Sequence, residues 1–295
     1  LKVRSGFVSI VGRPNVGKST LINKLVGEKI AIVSDKQGTT RSLIQGVYTD
    51  KDTQIIFIDT PGIHKPIHKL GNKLNNQAYY STNDADLLVL VMDGSVPLGR
   101  GDMFVIDKMS GLEKPVILVI NKIDKLNNED ILKKINEFKD LYNFAEIVPV
   151  SSMTGDNTNR LIEVIRKYLT DTVKYFPDEE VTSEPIEKRL TEIVREKVLL
   201  LTDDEVPHSV HCVLTDINEE NNIVNVYIDI IVDRESLKKI IIGKKGLMLK
   251  EIGMKARKDM EVLLGRQVYL ELYVRVLKKW RDKEKYLNEL GFNEY

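Results

Sequence analysis

Cysteine is almost missing from this 295-residue chain. The single thiol, Cys212, has no partner for an intramolecular disulfide and cannot build a thiolate zinc site. That scarcity fits a reducing, intracellular setting. Net charge is missing too. The 44 lysines and arginines balance 44 aspartates and glutamates, so total charge selects neither nucleic acid nor membrane. No apolar run approaches the roughly 20 residues that span a bilayer. The opening stretch Leu1–Gly6 is too short and polar for a signal peptide. A cytoplasmic protein is expected, at most peripheral to the inner face of a membrane. The four histidines, His64, His68, His208 and His211, have no metal-site spacing. Internal repeats and low-complexity tracts are also lacking. What is present is 42% hydrophobic content, enough for a sizeable core, and a length that suits about two domains.

The first part of the chain alternates short apolar runs with helical patterns. Strands are expected at Phe7–Val11, Ile55–Ile58, Leu87–Val91, Val116–Ile120 and, edge-like, Ile147–Val150. Most are apolar on both faces, as central strands of a parallel sheet should be. Helices are expected over Lys18–Val26, Asp102–Ser110, Glu129–Leu141 and Thr158–Leu169. This alternation predicts a doubly wound α/β layer. From Asp171 to Ser183 the pattern breaks into a polar, proline-flanked stretch that reads as a linker. Ser183 then reads as the cap of a helix from Glu184 to Leu201, with Pro185 in its first turn. Strands at Val210–Thr215 and Ile223–Val232 are expected to join through a turn at Asn218–Asn222. A basic, helix-rich stretch follows, interrupted by a strand at Val268–Val276.

Four motifs sit in the connections of the first part. Gly12-Arg13-Pro14-Asn15-Val16-Gly17-Lys18-Ser19 matches GxxxxGK[ST] between a strand and a helix, the context a phosphate loop requires. Its backbone N–H groups cradle the β-phosphate, and the helix N-terminus favours anions. Lys18 should reach the β- and γ-phosphates, and Ser19 Oγ should ligate Mg²⁺. Thr20 opens the helix behind them. Asp59-Thr60-Pro61-Gly62 ends a buried strand: Asp59 should hold Mg²⁺ through water, and the Gly62 N–H should sense the γ-phosphate. Asn121-Lys122-Ile123-Asp124 ends another. The Asp124 carboxylate can accept from the N1–H and exocyclic amine of guanine. Adenine would leave that carboxylate unpaired, at a cost of about 1–3 kcal/mol or more. GTP and GDP, not ATP, are therefore the expected ligands. Asn121 should brace the loop and the Lys122 stem should lie on the base. Ser151-Ser152-Met153 can supply a backbone N–H to the guanine carbonyl. In Gly38-Thr39-Thr40-Arg41, Thr40 is the expected switch threonine that closes on Mg²⁺.

The last third carries Ile242-Gly243-Lys244-Lys245-Gly246, a GxxG loop before an apolar helix pattern. KH modules clamp about four nucleotides with such a loop. GxxG alone is a weak signal, and charge strengthens it. Arg234 to Lys285 holds 16 lysines and arginines against 7 aspartates and glutamates, a surplus of +9. The remainder holds 28 against 37, or −9. The zero total hides a basic stretch in a chain that is acidic elsewhere, and the basic stretch suits an anionic partner.

Together these motifs resemble the Era family of ribosome-assembly GTPases. The phosphate loop, Gly38-Thr39-Thr40-Arg41, Asp59-Thr60-Pro61-Gly62-Ile63-His64-Lys65-Pro66 and His68-Lys69-Leu70-Gly71 all fit, and so does the C-terminal order of elements. The resemblance implies a P-loop GTPase domain at 1–172, a linker at 173–183 and a type II KH domain at 184–295. It implies slow, Mg²⁺-dependent hydrolysis of GTP, coupled to the 3′ end of 16S ribosomal RNA in assembly of the 30S subunit, by a monomer. Ile63 takes the place where Ras-type enzymes carry a water-orienting glutamine. Asn15 matches the asparagine that binds an activating K⁺ in cation-stimulated relatives. Ser152 departs from the family, which usually has alanine there. The competing reading is an RNA-binding module that keeps GTP as a structural ligand. One phosphate loop excludes a double GTPase, and a mid-chain cysteine does not fit the tRNA-modification GTPases. The terminal Lys278–Lys283 stretch could meet RNA or anionic lipid, while Trp280 is expected to pack within the module.

Overall fold

The computed structural model describes residues 3–36, 38–203 and 205–292. The termini of the two expected domains, residues 1, 2 and 293–295, lie outside the described residues. The first half runs β1 (Arg4–Val11), α1 (Lys18–Val26), β2 (Ile44–Thr49), β3 (Thr53–Asp59), α2 (Lys69–Asp84), β4 (Leu87–Asp93) and α3 (Arg100–Met109). It continues through β5 (Val116–Asn121), α4 (Asn128–Phe138), β6 (Glu146–Pro149) and α5 (Thr158–Arg166). Its six strands lie in the order β2-β3-β1-β4-β5-β6. All neighbours pair in parallel except β2 with β3. Every residue of β3, β4 and β5 is buried, because a helical layer covers each face. Alternate side chains such as Ile55, Phe57 and Val89 meet α1 and α5 on one side. Leu88, Leu90 and Met92 meet α2, α3 and α4 on the other. The order reverses around β1, so the loops after β1 and β3 share one end of the sheet with those after β5 and β6, where ligands bind in such folds.

Two elements are absent from the sequence reading. The edge strand β2 is short and interrupted by Gly46, where a Cβ would stand 2.4 Å from Ile30 Cδ1. Helix α2 lacks an obvious apolar stripe because its inward face is partly polar. Leu70, Leu74 and Ala78 are buried beside Asn75, Gln77, Ser81 and Thr82. Ser81 Oγ lies 3.0 Å from Ser9 Oγ of β1, so hydrogen bonding replaces part of the apolar seam.

The second half runs α6 (Ile186–Leu201), α7 (Val206–Ser209), β7 (His211–Glu220), β8 (Ile223–Val232), α8 (Glu235–Ile242), α9 (Leu247–Leu264), β9 (Gln267–Val276) and α10 (Glu284–Glu289). The sheet order is β7-β8-β9, with β8 antiparallel to β7 and parallel to β9. One face packs on α6, α8 and α9 through Leu190, Val194, Ile241, Ile252 and Ala256. This is the α+β arrangement expected of the C-terminal module. Two local expectations need correction. Ser183 does not cap α6: its hydroxyl donates to Gln45 Oε1 at 2.7 Å. Pro185 precedes the helix in extended conformation (φ −56°, ψ 145°) and no side chain caps it. The hairpin turn is narrower than Asn218–Asn222. Residues 218–220 belong to β7, and Asn221 and Asn222 alone turn the chain at φ 49° and 65°. That is the two-residue geometry asparagine tolerates and a right-twisted hairpin favours.

The polar stretch read as a linker is fastened to the first sheet. Val47 N–H donates to Val181 O at 2.8 Å, Ser5 N–H to Asp171 O at 2.9 Å, and Gln54 Oε1 accepts from Tyr175 N at 2.7 Å. The two halves then share a small core. Leu70 and Leu74 of α2 pack with Ile231, Trp280, Leu287 and Phe292. Trp280 is fully buried, as expected, and its Nε1–H donates to Ser209 O at 2.9 Å. Among the described residues, no helix is long and apolar enough to cross a membrane. Trp280→Ala should remove the centre of this shared core, at about 3–5 kcal/mol as for other buried aromatics. The expected outcome is a lowered urea midpoint. A midpoint equal to the parent's would mean that the shared core does not stabilise the fold.

Candidate functional site

The loop after β1 is shaped by backbone that side chains would obstruct. Gly17 sits at φ 98°, and a Cβ there would be 2.3 Å from Asn121 Nδ2. Gly62 comes close to the loop from the other side, where a Cβ would meet Pro14 N at 2.7 Å. Asn15 takes a left-handed φ of 65°, and its amide Nδ2 donates to Asp35 O at 2.6 Å. Val16 is buried in the core beneath. Arg13 is drawn outward by Asp102 of α3, at 2.8 Å. These contacts turn the loop around a cavity of about 310 Å³. It is lined by loop residues from Pro14 to Thr20, by Gly38–Thr40 and Gly62, and by Lys122, Asp124, Ser152 and Met153. The structure therefore brings residues of all four motifs and of the Ser152–Met153 turn to one place.

Lys18 and Asp59 form the charged floor. Lys18 is 6% exposed, and its Nζ donates to Gly12 O at 3.2 Å and Arg13 O at 3.1 Å. Burial pushes its pKa down to about 8, against the attraction of Asp59 and with some help from Arg13. Asp59 is completely buried, which raises its pKa, while Lys18 and the hydroxyls of Ser19 and Thr40 oppose the rise. Ser19 Oγ donates to Asp59 Oδ2 at 2.7 Å and lies 3.0 Å from Thr40 Oγ1. Thr40 Oγ1 is 3.3 Å from the same carboxylate oxygen. Thr39 points elsewhere, with its hydroxyl donating to Lys36 O at 2.7 Å. Asp59 Oδ1 is buried with no hydrogen-bond partner. A carboxylate with one oxygen unpartnered and two hydroxyls on the other is a hard-oxygen donor set of the kind Mg²⁺ takes alongside water and phosphate. Among the described residues there is no cluster of three or more His, Cys, Asp or Glu that would favour another metal.

The neighbouring residues of the second motif are structural. Thr60 Oγ1 donates to Ile10 O at 2.7 Å and ties β3 to β1. Pro61 is buried. Ile63 does not face the cavity. It is 1% exposed, packs with Val11, Ala78 and Val105, and its N–H donates to Gly12 O at 3.1 Å. The sequence reading placed it among the nucleotide contacts, and here its side chain belongs to the core.

The base end is braced as the Asn121 motif suggests. Asn121 is fully buried; its Nδ2 donates to Val16 O at 2.8 Å and its Oδ1 accepts from Ser152 N at 3.0 Å. Asn121 Nδ2 also reaches Ser152 Oγ at 3.0 Å. The serine that departs from the family therefore adds a brace, which the sequence reading missed. Lys122 Nζ bridges Asn15 O at 2.8 Å and Asp93 Oδ2 at 2.6 Å. Burial alone would raise the Asp93 pKa, but hydrogen bonds from Lys122 and Ser95 outweigh it and hold it low. Asp124 is exposed, and Ser151 Oγ holds its Oδ1 at 2.5 Å. Ile123 N–H is committed to Val150 O at 3.3 Å, and Met153 is 75% exposed. Asp93, Asn23 and Arg195 also shape this region without any motif to announce them. Asn23 Oδ1, for example, pins the loop after α1 through Ile30 N and Ala31 N.

At the far side of the molecule the GxxG loop joins α8 to α9. Gly243 turns at φ 72°, where a Cβ would be 2.6 Å from Met248 Cβ. Lys244 and Lys245 are exposed and Ile242 is half-buried, so the loop offers two cations on an open turn that ends at Gly246.

The fold and these loops define a P-loop GTPase joined to a KH domain. Two family profiles match accordingly: one described as a 50S ribosome-binding GTPase over residues 7–122, and one described as a KH domain over residues 205–281. The chain belongs to the Era family of GTPases. Era of Aquifex aeolicus, solved with GDP·AlF4⁻, is 42% identical over 98% of this chain and 99% of that one, with a TM-score of 0.95. A solved complex of Era with MgGDPNP and nucleotides 1506–1542 of 16S ribosomal RNA matches with the same identity, coverage and TM-score.

The burial of Lys18 has a measurable cost. A lysine pKa lowered from 10.5 to about 8 corresponds to about 3.5 kcal/mol at 1.4 kcal/mol per pH unit. The folded value lies below the unfolded one. The penalty is therefore present in full below pH 8 and fades as pH rises toward 10.5. Without nucleotide, Lys18→Met should raise the Tm by a few degrees at pH 7, and the gain should shrink by pH 10. A melting scan at both pH values checks this, and a gain independent of pH would refute the electrostatic cause.

Proposed function

We propose that the chain binds GTP·Mg²⁺ at the loop after β1, hydrolyses it slowly, and couples the nucleotide state to capture of the 3′ end of 16S ribosomal RNA by its GxxG loop in 30S subunit assembly. The observation that carries the catalytic part is the convergence of Ser19, Thr40 and the unpartnered Asp59 oxygen beside Lys18. In this reading Ser19, Thr40 and Asp59 hold Mg²⁺, with Asp59 acting through water. Mg²⁺, when bound, draws charge from the β- and γ-phosphate oxygens. The Lys18 ammonium leaves the Gly12 and Arg13 carbonyls for the phosphates. Backbone N–H groups from Asn15 to Thr20 surround the β-phosphate, and the Gly62 N–H meets the γ-phosphate. The carboxylate of Asp124, already oriented by Ser151, takes the two guanine donors. Ser151 N–H is committed to Asp156 O at 3.1 Å and Ser152 N–H to Asn121. Met153 N–H is therefore the proposed donor to the guanine carbonyl. K⁺ is proposed as an activating ion at Asn15. The amide nitrogen there is already engaged with Asp35, which leaves its Oδ1 as a cation ligand. With Ile63 in the core, no side chain at that position orients the attacking water, which supports a slow intrinsic rate.

The RNA part is supported by the exposed Lys244 and Lys245, by the +9 surplus from Arg234 to Lys285, and by the RNA that the 42%-identical Era carries. Phosphate contacts of this kind dominate affinity and respond to charge reversal. The test is GTP turnover and RNA affinity in Mg²⁺ buffer, using an RNA from the 3′ end of 16S ribosomal RNA. Turnover should rise with RNA and be faster in K⁺ than in Na⁺. In Lys244→Glu/Lys245→Glu, RNA affinity should fall by about tenfold or more and the RNA-dependent rise should vanish. Equal turnover in both salts would remove K⁺ from the site. RNA binding unaltered in the double variant would remove the GxxG loop from recognition.

A further inference from the structure

Thr40 is held in place from the other domain. The residues on either side of it are both gripped by the C-terminal half. Thr39 O accepts a hydrogen bond from Arg195 NH2 of α6. Arg195 is completely buried and fixed by Glu192, whose Oε1 accepts from Arg195 Nε at 2.8 Å. On the other side, Arg41 keeps one bond in its own loop, from Nε to Gly38 O at 3.4 Å, and sends the rest of its side chain into the C-terminal half. Its guanidinium is buried against the end of α7, donating to Pro207 O and His208 O at 3.1 Å and also to Val210 O. The same guanidinium lies 5.7 Å from the Trp280 ring centroid. Further back along this loop, Glu196 Oε1 accepts from Val33 N at 3.2 Å, and Lys29 pairs with Glu196 at 2.6 Å.

A loop threonine gains its position from its neighbours' backbone, because one residue cannot shift far when both flanks are pinned. Thr40 Oγ1 already stands 3.0 Å from Ser19 Oγ and 3.3 Å from Asp59 Oδ2. The grip is built from two planar guanidinium groups: Arg41 reaches several carbonyls at once and Arg195 spans the Glu192 carboxylate and the Thr39 carbonyl, which lysine cannot reproduce at the same charge. We propose that Arg41 and Arg195 are positioning residues for Thr40, so that the KH domain completes the γ-phosphate side of the GTPase site. The inference rests on the reading of Thr40 as the switch ligand.

Positioning differs from mere support of the fold in what it touches. GDP has no γ-phosphate and does not draw on Thr40, so the two nucleotides separate the roles. The experiment uses the full chain as Arg41→Lys, Arg195→Lys, Glu192→Gln and Thr40→Ala. Glu192→Gln loosens Arg195 without removing it and serves where the arginine variants fail to fold. Readouts are kcat and KM for GTP, the Mg²⁺ concentration for half-maximal turnover, affinity for a fluorescent GDP, and the Tm. In the Arg41 or Arg195 variants, or in Glu192→Gln in their place, kcat should fall by about tenfold or more and the Mg²⁺ requirement should rise. GDP affinity should stay within about threefold of the parent. A kcat within twofold of the parent, or GDP affinity lost in step with kcat, overturns the proposal. Thr40→Ala separates the two failures. If it loses turnover while the arginine variants keep theirs, the switch reading stands and the positioning falls. If Thr40→Ala turns over normally, the switch reading fails and the proposal falls with it.

Discussion

A carboxylate with no solvent exposure, at Asp59, is the constraint around which the nucleotide half is arranged. Such a group is costly to bury unless charge and hydrogen bonds meet it. Here the balancing groups come from separate stretches of chain: Lys18 and Ser19 at the start of α1, Thr40 in the loop before β2, and the Thr60 N–H just past β3. They converge because β1 and β3 are parallel and in register, with Ile10 opposite Asp59, so both strands deliver their next residues to one edge. One carboxylate oxygen is satisfied and the other is not. The site is therefore balanced for a cation that completes it, at the expense of stability without one. The buried ammonium of Lys18 is the same compromise with the opposite sign.

The two halves meet through segments that adjoin the nucleotide-site motifs. The loop before β2 reaches the C-terminal half with Arg41, and α2 reaches it with Leu70 and Leu74. Both lines end at Trp280. A tryptophan that is apolar on its face, bonded at its Nε1 and touched by a guanidinium can join the two segments in one packed cluster. A shift of either segment disturbs the same ring.

Much of this was legible in the sequence because the chemistry leaves few alternatives. Gly17 cannot carry a Cβ beside Asn121, and Asn121 must be able to donate and accept at once, so these positions read as motifs. The parallel core also showed itself, since β3, β4 and β5 are buried on both faces and need apolar residues throughout. Other parts had no local signal. Helix α2 hides a polar seam that includes Asn75 and Ser81, whose partners lie in the loop after β3 and on β1. The Ser183 hydroxyl turned to Gln45 because Pro185 keeps the chain extended where a cap would need to close. Arg41 appeared in a motif, yet its partners in the C-terminal half lie more than 160 residues away in the chain, and Arg195 had no motif at all. Tertiary contacts of that separation are set by how the two halves meet, which periodicity does not encode.

The charge distribution is consistent with that meeting. The stretch from Arg234 to Lys285 is basic, yet in the ion pairs between the halves it is the C-terminal half that supplies the acids. Lys29 meets Glu196, Lys36 meets Asp203, His68 faces Asp282 and Lys73 meets Glu284. Partly exposed pairs of this kind contribute little stability each, about 0–1 kcal/mol. Their effect lies in placement. Acidic side chains of the C-terminal half, Asp282 and Glu284 among them, are turned toward the nucleotide half and matched there. The lysines of the GxxG loop stay on an open surface. Sequestering acids at the contact raises the potential of the face left over, and a phosphate backbone responds to that potential over about 8–10 Å at physiological salt. The same contact that fixes Thr40 therefore also leaves the RNA loop cationic.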